Sequence, residues 1–348
     1  RLSGDEFAVL HRSLDQPHQA ELLAQRIIEV IGAPYSLSGR VVVVGVSIGI
    51  AATQDNRVTP DQLLSKADLA LYRAKESGRG TYRIFEDAME AEIHERALLE
   101  ADLRTALAQE QLTLVYQPIF DLEDGRLNGF ETLLRWRHPQ RGPISPAQFI
   151  PLAEEMGLIV PIGEWVLRRA CAEAMRWPDP IRVAVNLSAL QFQRGDIVQA
   201  VRTALETSGL PPCRLELEIT ESALLQDNER VMAILRQFRD LGISTALDDF
   251  GTGYSSLSYL RSFAFDKIKI DQSFVREMSA RPDSLAIVNS IAALAHTLGM
   301  TTTAEGIERQ DQLQQLREAG CTQGQGFLLG RPSEPGQLAH WMPALAES

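Results

Sequence analysis

Cysteine is scarce: Cys171, Cys213 and Cys321 are the only three in 348 residues, an odd number with no CxxC spacing. That excludes a disulfide framework and a thiolate metal cluster, and each thiol is expected as core filler in a reducing compartment. Aromatic residues make up only 6% of the chain. No apolar run approaches the roughly 20 residues of a membrane-spanning helix, and no signal-peptide pattern opens the sequence. The first residue, Arg1, sits inside what reads as a strand-turn, so a fragment of a longer protein is expected, with room for sensor or membrane segments upstream. Positive charge is also in deficit, with 34 Lys and Arg against 46 Asp and Glu and a formal net charge of −12. A DNA or RNA duplex needs clustered cations and is excluded as a partner, whereas a small phosphate ligand held through metal ions is not.

What is present is a globular composition, 45% hydrophobic and 23% charged, on a chain longer than one ordinary domain needs. One large domain plus a smaller piece is expected. In the first 88 residues the pattern predicts a hairpin over 1–10 with its turn at Gly4-Asp5 and an apolar strand after it. A helix over 18–31 follows, then a continuous buried strand over 41–52, a helix opened by Pro60, and a short strand over 81–85. Residues 89–110 read as an amphipathic linking helix.

From 111 to 348 apolar runs alternate with helical segments. Strands are predicted over 114–120, 127–136, 181–186, 214–219, 244–248, 267–270, 301–304 and 324–327. Helices are predicted near 146–157, 161–177, 196–208, 228–241, 283–299 and 309–319. This alternation is the signature of a TIM-like (β/α)8 barrel ringed by helices. The first two strands have no helix between them and so form an antiparallel pair, a departure from the regular eightfold pattern.

The polar residues fall where such a barrel builds its site, at strand C-terminal ends. They are Gln117, Glu131 with Arg135, Asn186, Glu218, Asp248 with Asp249, Lys269, Glu305 and Gln325. Asp248 and Asp249 are adjacent, and alternation sends neighbouring side chains to opposite faces, so both reach the site only if the backbone bends there. So many acids at one mouth demand cations, and oxygen ligands favour Mg²⁺, Mn²⁺ or Ca²⁺. Taken singly, Asn186 reads equally as a strand-end cap, Lys269 as a surface charge and Arg135 as half of a weak surface salt bridge. Their joint placement points to a site.

Two resemblances rest on these residues. Arg1-Leu-Ser-Gly-Asp-Glu-Phe with Leu71-Tyr-Arg-Ala-Lys-Glu-Ser-Gly-Arg resembles the second half of a GGDEF domain, the diguanylate cyclase fold. That likeness implies nucleotide and metal contacts for Asp5, Glu6, Lys75 and Arg79. Ser3 stands where the family has Gly and the half before the hairpin is missing from this sequence, so the segment reads as a partial α/β domain over 1–88 without a cyclase site. Val115-Tyr-Gln-Pro-Ile, Glu131-Thr-Leu-Leu-Arg-Trp-Arg-His-Pro, Asn186-Leu-Ser, Glu218-Ile-Thr-Glu-Ser, Asp248-Asp-Phe-Gly-Thr-Gly-Tyr, Asp266-Lys-Ile-Lys-Ile-Asp, Ala304-Glu-Gly-Ile-Glu and Gln325-Gly-Phe resemble, in order, an EAL domain.

That second resemblance implies hydrolysis of cyclic di-GMP to linear pGpG with two Mg²⁺ or Mn²⁺ ions. By residue it implies metal ligation by Glu131, Asn186, Glu218, Asp248 and Asp249, and catalytic roles for Lys269, Glu305 and Glu131. Gln117, Arg135 and Gln325 are implied as nucleotide-binding groups. Glu221 is implied as anchor of the Asp-Asp-Phe-Gly loop, which is linked with homodimerisation in the family. Thr132 replaces the middle Ala of the name-giving motif, and its side chain is expected on the face opposite Glu131. A cytoplasmic chain is expected, with no membrane segment of its own. The competing expectation is a receptor that binds the same nucleotide without cutting it, and the complete set of matched acids favours the enzyme.

Overall fold

The computed structural model describes residues 1–11, 18–53, 55, 57–224, 228–251 and 265–342. The chain divides into two compact units, Arg1–Ala101 and Asp102–Ser348, with the division inside the helix Asp87–Ala106.

In the first unit the helix His18–Gly32 forms as the apolar spacing predicts. The sequence between it and the second helix makes three short strands, β1 (Tyr35–Leu37), β2 (Arg40–Val42) and β3 (Ile48–Ile50). The single buried strand expected over 41–52 is therefore corrected to two pieces with different partners. β2 pairs antiparallel with β1, while β3 pairs parallel with β4 (Tyr82–Ile84), and Gly45 lies in the break. Two separate two-stranded ladders cover little surface, so Val41 and Val43 stay 74% and 65% exposed. The predicted turn at Gly4-Asp5 closes with a Ser3–Glu6 bridge, but residues 7–10 continue as irregular backbone and not as a strand. The helix Pro60–Glu76 starts on Thr59, whose Oγ1 accepts from Gln62 N while Gln62 Oε1 accepts from Thr59 N, a reciprocal cap.

The second unit is a closed barrel of eight strands: β5 (Leu112–Asp121), β6 (Leu127–His138), β8 (Arg182–Leu187), β9 (Leu215–Thr220), β10 (Ser244–Phe250), β11 (Lys267–Ile270), β12 (Thr301–Ala304) and β13 (Gln323–Gly324). A short β7 (Gly142–Ile144) adds to β6 outside the ring. β5 runs antiparallel to both of its neighbours, β6 and β13, and every other ring pairing is parallel. The antiparallel pair was legible from the missing helix. β13 is shorter than the predicted 324–327, because Gly326 turns the chain away after Gln325.

The helix Ile159–Ala174 shows how the outer ring is built. Ile162, Val166, Leu167, Ala170 and Ala174 recur at helical spacing and are buried, packed on β8 and on the helix Ile197–Ser208. Each such fully buried Leu or Ile contributes about 1.5–3 kcal/mol. Arg214 closes the helix end: its guanidinium donates to the carbonyls of Ala174, Trp177 and Ile181 and pairs with Asp179 at 2.8 Å. Of the three cysteines, Cys171 and Cys321 are buried as expected, but Cys213 is exposed. Among the described residues no helix is long and apolar enough to cross a membrane.

Candidate functional site

Parallel register brings the polar residues of neighbouring strands to one level. Asn186 on β8 stands beside Glu218 on β9, and Glu218 beside Ala246 on β10. Lys269 on β11 stands beside Thr303 on β12, whose last residue, Ala304, leads directly into Glu305. Gln117 on β5 faces Glu131 on β6 across the antiparallel ladder.

Lys269 is the hub. Its side chain is 1% exposed, and Nζ lies 2.7 Å from Glu218 Oε2, 2.7 Å from Glu305 Oε1, 3.2 Å from Asp248 Oδ1 and 3.7 Å from Glu131 Oε1. A buried ammonium is costly alone, but four carboxylates more than compensate, and its pKa is held well above the usual lysine value. It remains a cation at neutral pH.

The acids around it divide. Burial would raise Glu131, but the Lys269 charge and hydrogen bonds, from Gln325 Nε2 to Oε2 (2.5 Å) and Asn186 Nδ2 to Oε1 (2.8 Å), together outweigh it. The net effect holds Glu131 below the ordinary carboxylate range. Burial pushes Glu218 well above that range; Lys269 offsets part of this, and Glu131 and Asp248 add to it. Burial raises Glu305 to about 8 against the same lysine. One cation thus faces three buried carboxylates and the partly exposed Glu305.

The Asp248-Asp249 pair shows the bend that its adjacency required. The β10–β11 register slips between Leu247 and Phe250, and Asp249 takes a φ of 54°, in the left-handed region that non-glycine residues seldom adopt. Asp248 is buried toward Lys269 while Asp249 is exposed, with its N–H donating to Asp248 Oδ1 at 3.0 Å. Burial and the Asp248 charge raise the Asp249 pKa.

The remaining predicted residues take distinct places. Gln325 is buried, and its Nε2 joins Glu131 to Glu305, the latter at 3.5 Å. The backbone after it needs Gly326: a Cβ there would stand 2.2 Å from Ile307 N and O. Gln117 Nε2 donates to Gly330 O, tying β5 to that same turn. Arg135 is half-buried four residues beyond Glu131 on β6, with Nη1 donating to Leu134 O. Thr132 is buried, on the opposite face of β6 from Glu131 by strand alternation. Glu221 heads the short helix Glu221–Leu224; of the loop it is expected to anchor, 248–251 are described and the continuation over 252–264 lies outside the described residues. In the first unit Asp5, Glu6 and Lys75 are exposed, Arg79 turns with a φ of 60°, and Ser3 Oγ donates to Glu6 Oε2 at 3.0 Å.

The donor set is all oxygen, hard and anionic, which suits Mg²⁺ or Mn²⁺. Glu218 Oε1 is buried with no hydrogen-bond partner among the described residues, an atom left available to a cation. Among the described residues no group of three or more His, Cys, Asp or Glu is already placed as a set of metal ligands; the carboxylates turn instead on Lys269. The residues fit divalent metal by chemistry, with the ammonium neutralising part of their charge.

Two buried residues escaped the sequence reading. Glu216 and Lys267 are 2% and 3% exposed and pair at 2.7 Å one barrel layer below Glu218 and Lys269. The signal was period two, since each precedes its counterpart by two residues and so faces the same way.

The chain, a mixed eight-stranded barrel over most of its length, belongs to the EAL family: residues 100–332 match the EAL domain. Residues 1–81 match the diguanylate cyclase, GGDEF domain. Among curated relatives, the bifunctional diguanylate cyclase/cyclic di-GMP phosphodiesterase MucR of Pseudomonas aeruginosa is 45% identical over 97% of this chain and 50% of its own length. An uncharacterized protein of Sinorhizobium fredii is 49% identical over 100% of this chain and 42% of its own length. The chain thus spans about half the length of the curated relatives it matches. Among solved structures, the MucR phosphodiesterase in complex with cyclic di-GMP is 47% identical over 69% of this chain and 99% of its own, with a TM-score of 0.67.

Proposed function

We propose that this chain hydrolyses cyclic di-GMP to linear pGpG. The observation that carries the reading is the Lys269 ammonium within 3.7 Å of the carboxylates of Glu131, Glu218, Asp248 and Glu305 at one end of the barrel. Relatives named for this activity support it.

Glu131, Asn186, Glu218, Asp248 and Asp249 are the residues that would hold Mg²⁺ or Mn²⁺. Two such ions, when bound, supply a water activated for attack at neutral pH and neutralise charge developing on the phosphoryl oxygens. The chain's own groups do the rest. Lys269 donates hydrogen bonds and positive charge toward the phosphoryl centre from a position 2.7 Å from both Glu218 and Glu305. Glu305, 2.7 Å from Lys269 Nζ, would support the bound ions and the attacking water. Gln325 and Asn186 fix the Glu131 carboxylate from two sides. Gln117, Arg135 and Gln325 hold the nucleotide, Arg135 offering a guanidinium to a phosphate.

The division of labour is a GGDEF-like part at 1–88, a linking helix at 89–110 and the phosphodiesterase barrel at 111–348. We place the reaction in the cytoplasm and the working form as a homodimer through the barrel, with Glu221 holding the loop after Asp249. Sedimentation analysis at micromolar concentration checks the dimer.

The test of the reaction is chromatographic separation of pGpG from cyclic di-GMP after incubation with Mg²⁺ or Mn²⁺. Product that forms with metal and ceases with chelator is the expected result. Tight nucleotide binding without product under any metal overturns the enzyme and leaves a receptor.

A further inference from the structure

The barrel buries a second lysine and glutamate that the reaction does not use. Lys267 Nζ meets Glu216 Oε1 at 2.7 Å, with both side chains at most 3% exposed. Glu216 Oε2 has no hydrogen-bond partner among the described residues, and the pair lies close to Ala184, Gly129 and Phe130. Burying two charges is costly before their attraction is counted, and an apolar pair of similar volume is commonly as stable or more so. Stability alone gives this pair no reason to exist.

Its position gives one. β9 and β11 are not hydrogen-bonded to each other; each pairs with β10, which lies between them. Just above this level the β10–β11 ladder slips, between Leu247 and Phe250, so backbone pairing does not by itself fix the distance from β9 to β11 at the site. The Glu216–Lys267 bridge crosses β10 between Ser244, which stands beside Glu216, and Ala246, which stands beside Lys267. Alanine there is small enough for two long side chains to meet across it. Two residues further along the same strands, Glu218 and Lys269 meet at 2.7 Å.

We propose that Glu216 and Lys267 are positioning residues: a buried staple below the β10 bulge that sets the spacing of β9 and β11 and thereby aligns Glu218 with Lys269. The proposal rests on the phosphodiesterase reading for its kinetic consequence, but the alignment also governs how Glu218 is presented to a divalent cation, which is measured without turnover.

The experiment uses the full chain and two double variants, Glu216→Leu with Lys267→Met, and Glu216→Gln with Lys267→Gln. Thermal unfolding first establishes that each is folded. Mn²⁺ affinity is then read by calorimetry, and kcat and KM for cyclic di-GMP where the unaltered chain turns over. Removal of an outer-shell support typically costs 10- to 100-fold, so the Leu/Met variant is expected to lose about tenfold in Mn²⁺ affinity and in kcat, with KM little changed and Tm held or raised. The Gln/Gln variant keeps a weaker, uncharged bridge and is expected to lose about threefold. A folded Leu/Met variant with unaltered Mn²⁺ affinity overturns the proposal; if that variant does not fold, a Gln/Gln variant with unaltered affinity and kcat does so. If the unaltered chain binds Mn²⁺ without hydrolysis, the phosphodiesterase reading falls while the affinity comparison still decides the staple.

Discussion

The two units handle apolar residues in opposite ways. Val41 and Val43 belong to a continuous apolar run, 41–44, whereas Leu215 to Ile219 alternates with glutamates, yet the first pair is 74% and 65% exposed and Leu215, Leu217 and Ile219 are 0% exposed. The difference lies in what the strands pair with. β2 belongs to an isolated hairpin, while β9 sits between β8 and β10 in a closed ring backed by helices. Strand propensity is a local property, and burial is conferred by the number of layers a fold assembles. The barrel's closure also lets it gather Glu131, Glu218, Asp248 and Glu305 around the buried Lys269.

Breaking the centre of the barrel site has the largest expected effect. Lys269→Met removes the cation from among four carboxylates, and kcat for cyclic di-GMP is expected to fall about a thousandfold, with nucleotide binding by calorimetry retained. A variant within threefold of the unaltered chain would remove Lys269 from the mechanism. Next comes a matched pair of truncations. Leu217→Ala in the ring is expected to cost about 2–5 kcal/mol by denaturant unfolding, whereas Val43→Ala in the first unit is expected to stay within about 0.5 kcal/mol. Equal costs would mean that Val43 is covered in solution.

The acids give a pH signature of the metal-free chain. The folded-state pKa values of Glu218, Glu305 and Asp249 are raised, Glu305 to about 8, so the folded chain holds protons that the unfolded chain has already released. The contribution is fully present below the ordinary carboxylate range and is lost as pH rises through the folded-state values. The melting temperature in chelator is therefore expected to fall between about pH 5 and pH 8. Saturating Mn²⁺ should flatten that slope, since it binds the ionised acids of the folded state. A chelated chain that gains stability with pH over this window would contradict the buried, proton-sharing arrangement.

The barrel was legible because its strands are apolar runs punctuated by helices of the right length, and the missing helix between β5 and β6 announced their antiparallel pairing. What could be read of the candidate site is that Asn186, Glu218, Asp248, Lys269, Glu305 and Gln325 fall in or just after the last residues of their strands, while Glu131 lies mid-strand on β6; four of the acids converge on Lys269. Two features could not be read. The split of 41–52 into β2 and β3 depends on which partner each piece finds, which no local pattern encodes. Glu216 and Lys267 were passed over because Glu in Leu215-Glu-Leu-Glu reads as the solvent face of an alternating strand, and only closure of the ring turns that face inward.

The central claim is that the carboxylates at the barrel mouth form a metal-dependent phosphodiesterase site. The most direct measurement compares pGpG formation by the unaltered chain and by Glu131→Ala, each with Mn²⁺ and with chelator. Product from the unaltered chain with metal alone, and none from Glu131→Ala, is the predicted result. Full hydrolysis by Glu131→Ala, or by the unaltered chain in chelator, would contradict it.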